Sequence, residues 1–310
     1  MKKPEVSVVM GVYNGAAYLP STIDSVLNQH GVDLEFIVVN DGSTDETTAI
    51  LEQQAKHDNR LRIVHQANAG LTNSLIRGCK LARGTFIARQ DAGGDLSLPG
   101  RLMAQVELLL NQPDAVLATC ATKYVAPDGV YLYNAIIEQY QLDEGLRTLA
   151  IPGVKGPSHH GSCMFRREIY ERVGGYRRHF ALAQDLDLWL RLIEAGRCIA
   201  MQDVLYQATW AYGGLSSRLR PEQNRYAEMA LEAARCRRAG LQEPELPKPL
   251  RSGAILGKTS RHVELSHFHY FLGSCVAKRD PALARKYFWR SLMAQPFNLR
   301  SLLRVLVPRL

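Results

Sequence analysis

Apolar runs alternate with helically spaced apolar residues through the first third of the chain. Patterns of buried strands cover Val6 to Met10, Leu34 to Val39, Leu61 to Val64 and Thr85 to Ala88. Helical spacing separates them, over Ser21 to Gln29, Thr44 to His57 and Leu71 to Ala82. Continuous apolar strands alternating with helices are typical of a parallel sheet covered by helices on both faces. The pattern therefore predicts an α/β fold with a mostly parallel sheet.

The second half of the chain has a less regular pattern. A clear helix is predicted from Asp185 to Glu194, with Trp189 on its apolar face and so in the core. After Gly213 and Gly214 the pattern is mostly helical. We therefore predict an α/β domain over residues 1–218 and a small helical, basic region over residues 219–310.

Charge is distributed unevenly around the net value of +8. Up to residue 214 the chain has 20 Lys/Arg and 23 Asp/Glu, and the remainder has 18 Lys/Arg and only 7 Asp/Glu. A basic tail suggests an anionic partner such as a membrane surface, nucleic acid or acidic glycan. Arginines interleaved with apolar residues from Tyr287 to Leu310 fit either an interfacial helix on anionic lipid or a helical cap packed on the main domain.

The chain lacks several sequence motifs, and their absence disfavours the classes of protein that need them. The chain has no apolar stretch of membrane-spanning length, no signal-peptide pattern and no Cys-x-x-Cys pair among its six cysteines. It also has no Gly-x-Gly-x-x-Gly after the first strand, no P-loop and no Gly-x-Ser-x-Gly elbow. We therefore expect a cytoplasmic protein with free thiols that is not a dinucleotide oxidoreductase, a P-loop NTPase or a serine hydrolase.

Polar residues follow the predicted strands at their carboxyl ends, where open parallel sheets bind ligands. Asp41 comes after the second strand, and Asp91 and Asp95 come after the fourth. Clustered acids are costly unless they bind a cation or accept hydrogen bonds. We expect Asp41 to be exposed at this rim, although Asp41-Gly42-Ser43 could instead form only a turn and a helix cap.

Taken in order, several short motifs resemble those of family 2 glycosyltransferases, which have the GT-A fold. Val6 to Asn14 resembles the family's opening strand, Phe36 to Asp45 its second-strand motif, and Asp185 to Arg191 part of its acceptor side. Ile87 to Asp91 stands where the family's Asp-x-Asp begins. The resemblance covers about residues 5–218. It implies a Rossmann-like GT-A domain that transfers a sugar from a nucleotide-sugar donor, with UDP-sugar favoured.

The resemblance also implies roles for individual residues. Asp185 would be the catalytic base that takes the proton of the attacking acceptor hydroxyl, and direct attack would invert the anomeric configuration. A helix cap is the alternative for Asp185. The implied nucleotide-binding residues are Val12, Tyr13, Asn14, Asp41, Gly70, Arg89 and Asp91. Implied contacts to the acceptor or the diphosphate are His160, Tyr212 and Arg218.

The acidic loop departs from the family pattern. It reads Asp91-Ala92-Gly93-Gly94-Asp95, with glycine where the second acid would stand. Glycine reaches positive φ at little steric cost, so a bulge could return Asp95 to a shared ion. Asp91 and Asp95 are therefore the predicted ligands of a divalent cation, Mg²⁺ or Mn²⁺, with Asp91 and the diphosphate alone as the alternative.

The predicted function is inverting transfer of a hexose-type sugar to a hydroxyl of a glycan or lipid-linked acceptor, in surface polysaccharide synthesis. The enzyme would work in the cytoplasm or at the inner face of the membrane, and no nucleic-acid partner is expected. Two alternatives remain. A non-catalytic relative would bind nucleotide sugar or glycan without turnover. A nucleotidyltransferase would normally need a basic glycine-rich loop, whereas Gly11 to Leu19 has no basic residue.

Overall fold

The computed structural model describes residues 3–212, 220–246 and 261–308. Its strands are β1 (Val6–Val12), β2 (Leu34–Asp41), β3 (Leu61–Gln66), β4 (Phe86–Arg89), β5 (Leu96–Ser97), β6 (Ala115–Val125), β7 (Tyr131–Ala135), β8 (Cys163–Arg166) and β9 (Arg197–Thr209). The first helices are α1 (Leu19–Leu27), α2 (Thr47–His57), α3 (Leu71–Leu81), α4 (Arg101–Asn111), α5 (Gln139–Arg147), α6 (Arg167–Arg172) and α7 (Gln184–Ile193). The later helices are α8 (Arg220–Arg238), α9 (Arg261–Val276), α10 (Pro281–Ala294) and α11 (Leu299–Leu306).

The strands form one mixed sheet in the order β3-β2-β1-β4-β8-β6-β9-β5, with β7 paired to β6. The first four strands are parallel to one another, as the sequence predicts. Beyond β4 the pairs β4–β8, β8–β6 and β9–β5 are antiparallel. The α/β fold with a Rossmann-like half is therefore confirmed, and the parallel character is limited to that half.

The core lies where α1, α4 and the parallel strands meet. The strands β1 and β2 are buried along almost their whole length, which explains why most of their residues are apolar. Leu19 and Ile23 of α1 and Leu102 of α4 pack in the same cluster, each with no exposed surface. This packing holds the carboxyl ends of the strands, and the loops that follow them, in fixed positions.

A buried acid lies at the opposite end of the parallel strands. The side chain of Glu35 is 3% exposed and accepts from the Ser7 hydroxyl (2.7 Å), the Arg83 backbone N–H (2.8 Å) and the Arg62 guanidinium (2.5 Å). Burial raises the pKa of Glu35, but these hydrogen bonds outweigh it and hold the pKa below its ordinary value. The ionised carboxylate therefore links β1, β2 and β3.

Contacts divide the chain into two compact units whose segments alternate along the sequence. The first comprises Met1–Thr122, Ala135–Ala208 and Pro221–Ala254, and the second comprises Lys123–Asn134, Thr209–Arg220 and Ile255–Leu310. The second has its own apolar cluster, with Leu132, Leu272 and Phe288 at its centre. The predicted division into a domain over residues 1–218 and a region over residues 219–310 stays a prediction. In the described parts of the chain, no helix combines the length and apolarity needed to cross a bilayer.

Candidate functional site

The loops after β1 and β2 are joined by hydrogen bonds. Asn14 Oδ1 accepts from the Thr44 N–H (2.8 Å), and Ser43 Oγ accepts from the Asn14 N–H (3.0 Å). Asn14 has φ of 51°, in the left-handed region that asparagine tolerates better than most residues. Beside it, Val12 is buried, whereas the ring of Tyr13 is 53% exposed at this rim. Tyr13 therefore presents the accessible aromatic surface among the predicted nucleotide contacts.

Asp41 organises the start of α3 instead of lying exposed. Its Oδ1 accepts from the Ala69 N–H (2.8 Å) and the Gln66 amide (2.6 Å), and its Oδ2 accepts from the Gly70 N–H (2.8 Å). Only 3% of Asp41 is exposed, so the expected exposure is wrong. Two backbone donors just before α3 need an acceptor, and the carboxylate at the end of β2 meets both. Gly70 itself has φ of 87°, which favours glycine.

Arg89 lies beneath the acidic loop. Its side chain has no exposed surface, and its guanidinium donates to the Val9 carbonyl and to Asp91 Oδ1 (2.6 Å). A buried guanidinium needs such partners because an unpaired charge in the interior is very costly. Arg89 was predicted to contact the nucleotide. In this structure its side chain is buried, and it acts on the rim of the sheet through its ion pair with Asp91.

Asp91 remains ionised because its neighbours outweigh its burial. Burial raises the pKa of Asp91, but the positive Arg89 guanidinium, which donates to its Oδ1, holds that pKa below its ordinary value. The carboxylate is also 26% exposed, so a ligand can reach it. Arg89 thus holds an ionised carboxylate in place at the end of β4.

The glycines of the acidic loop bring Asp95 back toward Asp91. Gly94 has φ of 90°, and the Asp95 carbonyl accepts from the Thr22 hydroxyl (3.0 Å) and the Gln90 amide (3.0 Å). As a result, one ligand atom each of Asp91, Asp95 and His159 lies within 4.8 Å of the other two. Within the described ranges, no other set of three or more acids, histidines or cysteines has this geometry. The cluster fits a divalent cation, since oxygen ligands suit Mg²⁺ and Mn²⁺.

His159 enters this cluster from a loop with two adjacent histidines, a pair that by sequence fits either a metal or acceptor contact or a backbone hydrogen bond. Its Nε2 lies 3.7 Å from Asp95 Oδ2 and its Nδ1 lies 3.8 Å from Asp91 Oδ2. Nδ1 also accepts from the Gly161 N–H (3.0 Å). A backbone N–H can only donate, so in the neutral ring the proton is on Nε2. The two carboxylates are therefore the ready ligands, and the imidazole could join them only by releasing Gly161.

Tyr206 connects all three members of the cluster, and no motif in the sequence pointed to it. Its hydroxyl accepts from the Asp91 N–H (3.1 Å) and donates to Asp95 Oδ2 (3.1 Å), while its ring stacks on His159 at 5.3 Å. Burial and the Asp95 charge raise the pKa of Tyr206 far above its ordinary value, so the hydroxyl keeps its proton. Gly161 makes room for it, since a Cβ there would clash with the hydroxyl oxygen.

Asp185 lies in the first turn of α7 and shares the electrostatic environment of the cluster. The helix follows Ala183, whose φ of 53° is unusual for a residue other than glycine and is typical of functional sites under local strain. Burial raises the pKa of Asp185, and the negative charge of Asp91 raises it further. The N-cap is Ala183, and Asp185 Oδ1 accepts from the adjacent Leu186 N–H (2.8 Å). Asp185 is therefore a half-buried carboxylate with increased proton affinity.

The three residues that the resemblance implies as contacts to the acceptor or the diphosphate lie in different parts of the chain. His160 is 8% exposed, and burial with the nearby Arg89 lowers its pKa to about 3, so it presents no cation to a diphosphate. Its Nε2 lies 2.6 Å from the Tyr176 hydroxyl. Tyr212 belongs to the second unit, where its hydroxyl donates to a backbone carbonyl at 3.0 Å. Arg218 lies outside the described residues.

Comparison with known sequences identifies relatives over most of the first unit. The profile described as "Glycosyl transferase family 2" matches residues 7–174. EpsE of Bacillus subtilis (strain 168), named as a glycosyltransferase, is 36% identical over 212 residues, covering 66% of this chain and 72% of that protein. The chondroitin synthase of Pasteurella multocida (strain Pm70) is 29% identical over 203 residues, covering 66% of this chain and 20% of that protein.

Solved structures show the same fold at low sequence identity. The mannosyltransferase PcManGT from Pyrobaculum calidifontis, in complex with GDP-Man and Mn²⁺, has a TM-score of 0.55 at 18% identity, covering 100% of this chain and 89% of that chain. Residues 1–349 of S. aureus TarS, in complex with UDP, have a TM-score of 0.52 at 16% identity, covering 94% and 88%. These similarities confirm the GT-A-like architecture.

Proposed function

This chain belongs to glycosyl transferase family 2, and from that premise we propose that it is an inverting enzyme that moves a sugar from a nucleotide-sugar donor onto a hydroxyl. The observation that carries the proposal is the gathering of Asp91 and Asp95 beside His159, with Asp185 in the same electrostatic environment. The two acids of the loop would hold a cation against the leaving diphosphate, and Asp185 would accept a proton. Sugar transfer from a nucleoside diphosphate sugar needs both functions.

We assign the cation to the carboxylates of Asp91 and Asp95. Bound there, Mg²⁺ or Mn²⁺ would neutralise the diphosphate as it departs. Arg89 keeps Asp91 ionised, and Tyr206 fixes the side chain of Asp95 through its hydroxyl. The complexes of structural neighbours with Mn²⁺, UDP and GDP-Man support a nucleotide sugar and a divalent cation without deciding between nucleotides.

We assign the catalytic base to Asp185. The atom of a catalytic base that accepts the proton must lie close to the attacking hydroxyl. The base becomes more efficient as the pKa of that group approaches the working pH. Burial and the Asp91 charge both raise the pKa of Asp185 in that direction. A carboxylate at the start of a helix and partly exposed can take the acceptor proton while the hydroxyl oxygen attacks the anomeric carbon directly, which inverts its configuration.

For the nucleotide, we propose a position along the joined loops after β1 and β2. The exposed ring of Tyr13 would flank the base, and a uracil N–H would complete the hydrogen bonding of Asp41. A carboxylate can accept about four hydrogen bonds, and Ala69, Gly70 and Gln66 supply three. This arrangement favours a UDP-sugar as the donor.

The acceptor class follows from the names of relatives. Chondroitin synthase and hyaluronan synthase of Pasteurella multocida are similar to this chain over about two thirds of its length. We propose a growing glycan or a lipid-linked saccharide as the acceptor, in the synthesis of a surface polysaccharide. The cysteines are all free thiols, which supports a reducing, cytoplasmic location.

The proposal is tested by donor binding and turnover with and without metal. Purified protein is screened by thermal shift against UDP- and GDP-sugars with Mn²⁺ or EDTA, and hydrolysis of the best donor is then measured. We expect a Mn²⁺-dependent shift and slow hydrolysis. Asp95→Ala should abolish turnover, with partial rescue by excess Mn²⁺, whereas Asp114→Asn changes an exposed surface acid and serves as the control.

Three results would count against parts of the proposal. Full turnover in EDTA would contradict the cation. Turnover of Asp95→Ala equal to the unchanged protein would leave Asp91 and the diphosphate as the cation's only ligands. A protein that binds a nucleotide sugar tightly but never hydrolyses or transfers it, with any acceptor of a glycan panel, would be a non-catalytic binding relative.

A further inference from the structure

Helix α11 presents its four leucines on its exposed face. The exposed fractions are 72% for Leu299, 43% for Leu302, 58% for Leu303 and 68% for Leu306. The residue that α11 buries is Ser301, whose hydroxyl lies 2.8 Å from that of Ser291 in α10. A helix that only covered the core of its own unit would have the reverse orientation, with leucines inside and serine outside. The orientation therefore leaves the four leucines accessible to a binding partner.

The neighbouring helix and turn continue this surface. In α10, Trp289 is 53% exposed and Met293 is 67% exposed, while Phe288 and Tyr287 point into the core of the second unit. Phe297, in the turn between α10 and α11, is 93% exposed. With the four leucines these three residues form what we call the C-terminal apolar face. Large apolar side chains concentrated in this way mark an interaction surface more often than a chance exposure.

The charge around this face has a single sign. Residues 281–310 contain six basic residues and no acidic one. Lys286, Arg290 and Arg300 are exposed, and Arg304 extends over the ring of Phe288 at 5.3 Å. Basic side chains flanking exposed leucine, phenylalanine and tryptophan are the composition of helices that lie in the headgroup region of an anionic bilayer.

We propose that the C-terminal apolar face docks on the surface of an anionic lipid membrane, with α10 and α11 lying along the interface. A second copy of the chain is a poorer occupant, because pairing this face with itself would bring two sets of basic residues together with no acid in the segment to offset them. A membrane supplies both apolar volume and negative headgroups. This proposal rests on the second unit alone and does not depend on the transferase chemistry.

Vesicle binding of the full-length protein tests the proposal. Co-sedimentation is compared for vesicles of phosphatidylcholine alone and of phosphatidylcholine with phosphatidylglycerol. We expect strong binding only with the anionic lipid, weakened at high salt. Leu303→Ser/Leu306→Ser should lower the partition coefficient at least tenfold. Lys286→Gln/Arg300→Gln should lower it about fivefold for each charge.

A matched control and a second readout keep the result interpretable. Leu110 in α4 of the first unit is 57% exposed, so Leu110→Ser should bind vesicles like the unchanged protein. On the unchanged protein, anionic vesicles should shift the emission of Trp289 to shorter wavelength, as isolated by comparison with Trp289→Phe. Equal binding by all variants, or no emission shift, would overturn the proposal. Self-association that Leu303→Ser/Leu306→Ser abolishes, without vesicle binding, would assign the face to a second copy and also overturn it.

Discussion

Tyr206→Phe is the sharpest test of how the cation site is built, because it removes one oxygen atom and preserves the ring. The ring would still stack on His159, so the loss is limited to the three hydrogen bonds of the hydroxyl, with the Asp91 N–H, the Asp95 carboxylate and the Gln90 amide. Asp95 then loses a donor that fixes its carboxylate, and the Asp91 N–H loses its acceptor. We therefore expect the affinity for Mn²⁺ to fall while the fold persists.

The size of the effect follows from the groups involved. A hydrogen bond to a charged group contributes about 1.5–3 kcal/mol, and about 1.4 kcal/mol corresponds to a factor of ten. Loss of a partner that orients a metal ligand typically weakens binding about 10–100-fold. Both estimates give a decrease of one to two orders of magnitude in Mn²⁺ affinity. The unsatisfied Asp91 N–H should also lower the free energy of unfolding by about 1–3 kcal/mol.

The assay is a titration of Mn²⁺ in the presence of saturating UDP, followed by the electron paramagnetic resonance signal of the free ion. Urea unfolding measures stability separately, so that a loss of folded protein is not mistaken for a loss of affinity. Tyr287→Phe is the matched control, because Tyr287 is also buried and its hydroxyl donates to a carboxylate, that of Asp128, at 2.8 Å. This control should lose stability but keep its Mn²⁺ affinity.

Two outcomes would contradict this account of the cation site. If Tyr206→Phe binds Mn²⁺ as tightly as the unchanged protein, the hydroxyl does not position the ligands. If Tyr287→Phe loses Mn²⁺ affinity to the same degree, the effect reports a general loss of stability instead of the geometry around Asp95.

Asp185→Asn should lower turnover by about 10²–10⁴-fold while UDP-sugar still binds, because the amide cannot accept the proton; near-normal turnover would make Asp185 a structural residue only. Asp41→Ala should weaken UDP binding and also lower the free energy of unfolding, since the Ala69 and Gly70 N–H groups lose their acceptor. At about 1–3 kcal/mol for each buried unsatisfied donor, urea denaturation should detect the change, and an unaltered midpoint would contradict it. Glu35→Gln should make the free energy of unfolding less dependent on pH below about 4.5, because folding lowers the pKa of Glu35. The ionised Glu35 stabilises the fold at higher pH, and this stabilisation is lost as the pH falls through the lowered folded-state pKa. Identical pH profiles for Glu35→Gln and the unchanged protein would argue against that role.

The parallel half of the fold was predictable because its signals are local. Each of the strands β1 to β4 is a short apolar run between helically spaced segments, and parallel neighbours joined by helices follow from that order. The positions of Asp41, Asp91 and Asp95 after these strands followed from the same pattern. The antiparallel pairs β4–β8, β8–β6 and β9–β5 join strands far apart in sequence, so no local pattern could order them.

Local patterns were enough to predict which residue types stand at the rim and that the acidic loop has glycines able to bend it. What each of those residues does depends on the folded chain. Folding buried Asp41 against two backbone donors, placed Arg89 beneath Asp91, and brought Tyr206 from β9 between the acids of the loop. It also exposed the leucines of α11 and buried Ser301. The physical reason is that burial and hydrogen bonding depend on partners from distant strands and helices, whereas periodicity and turn chemistry depend only on adjacent residues.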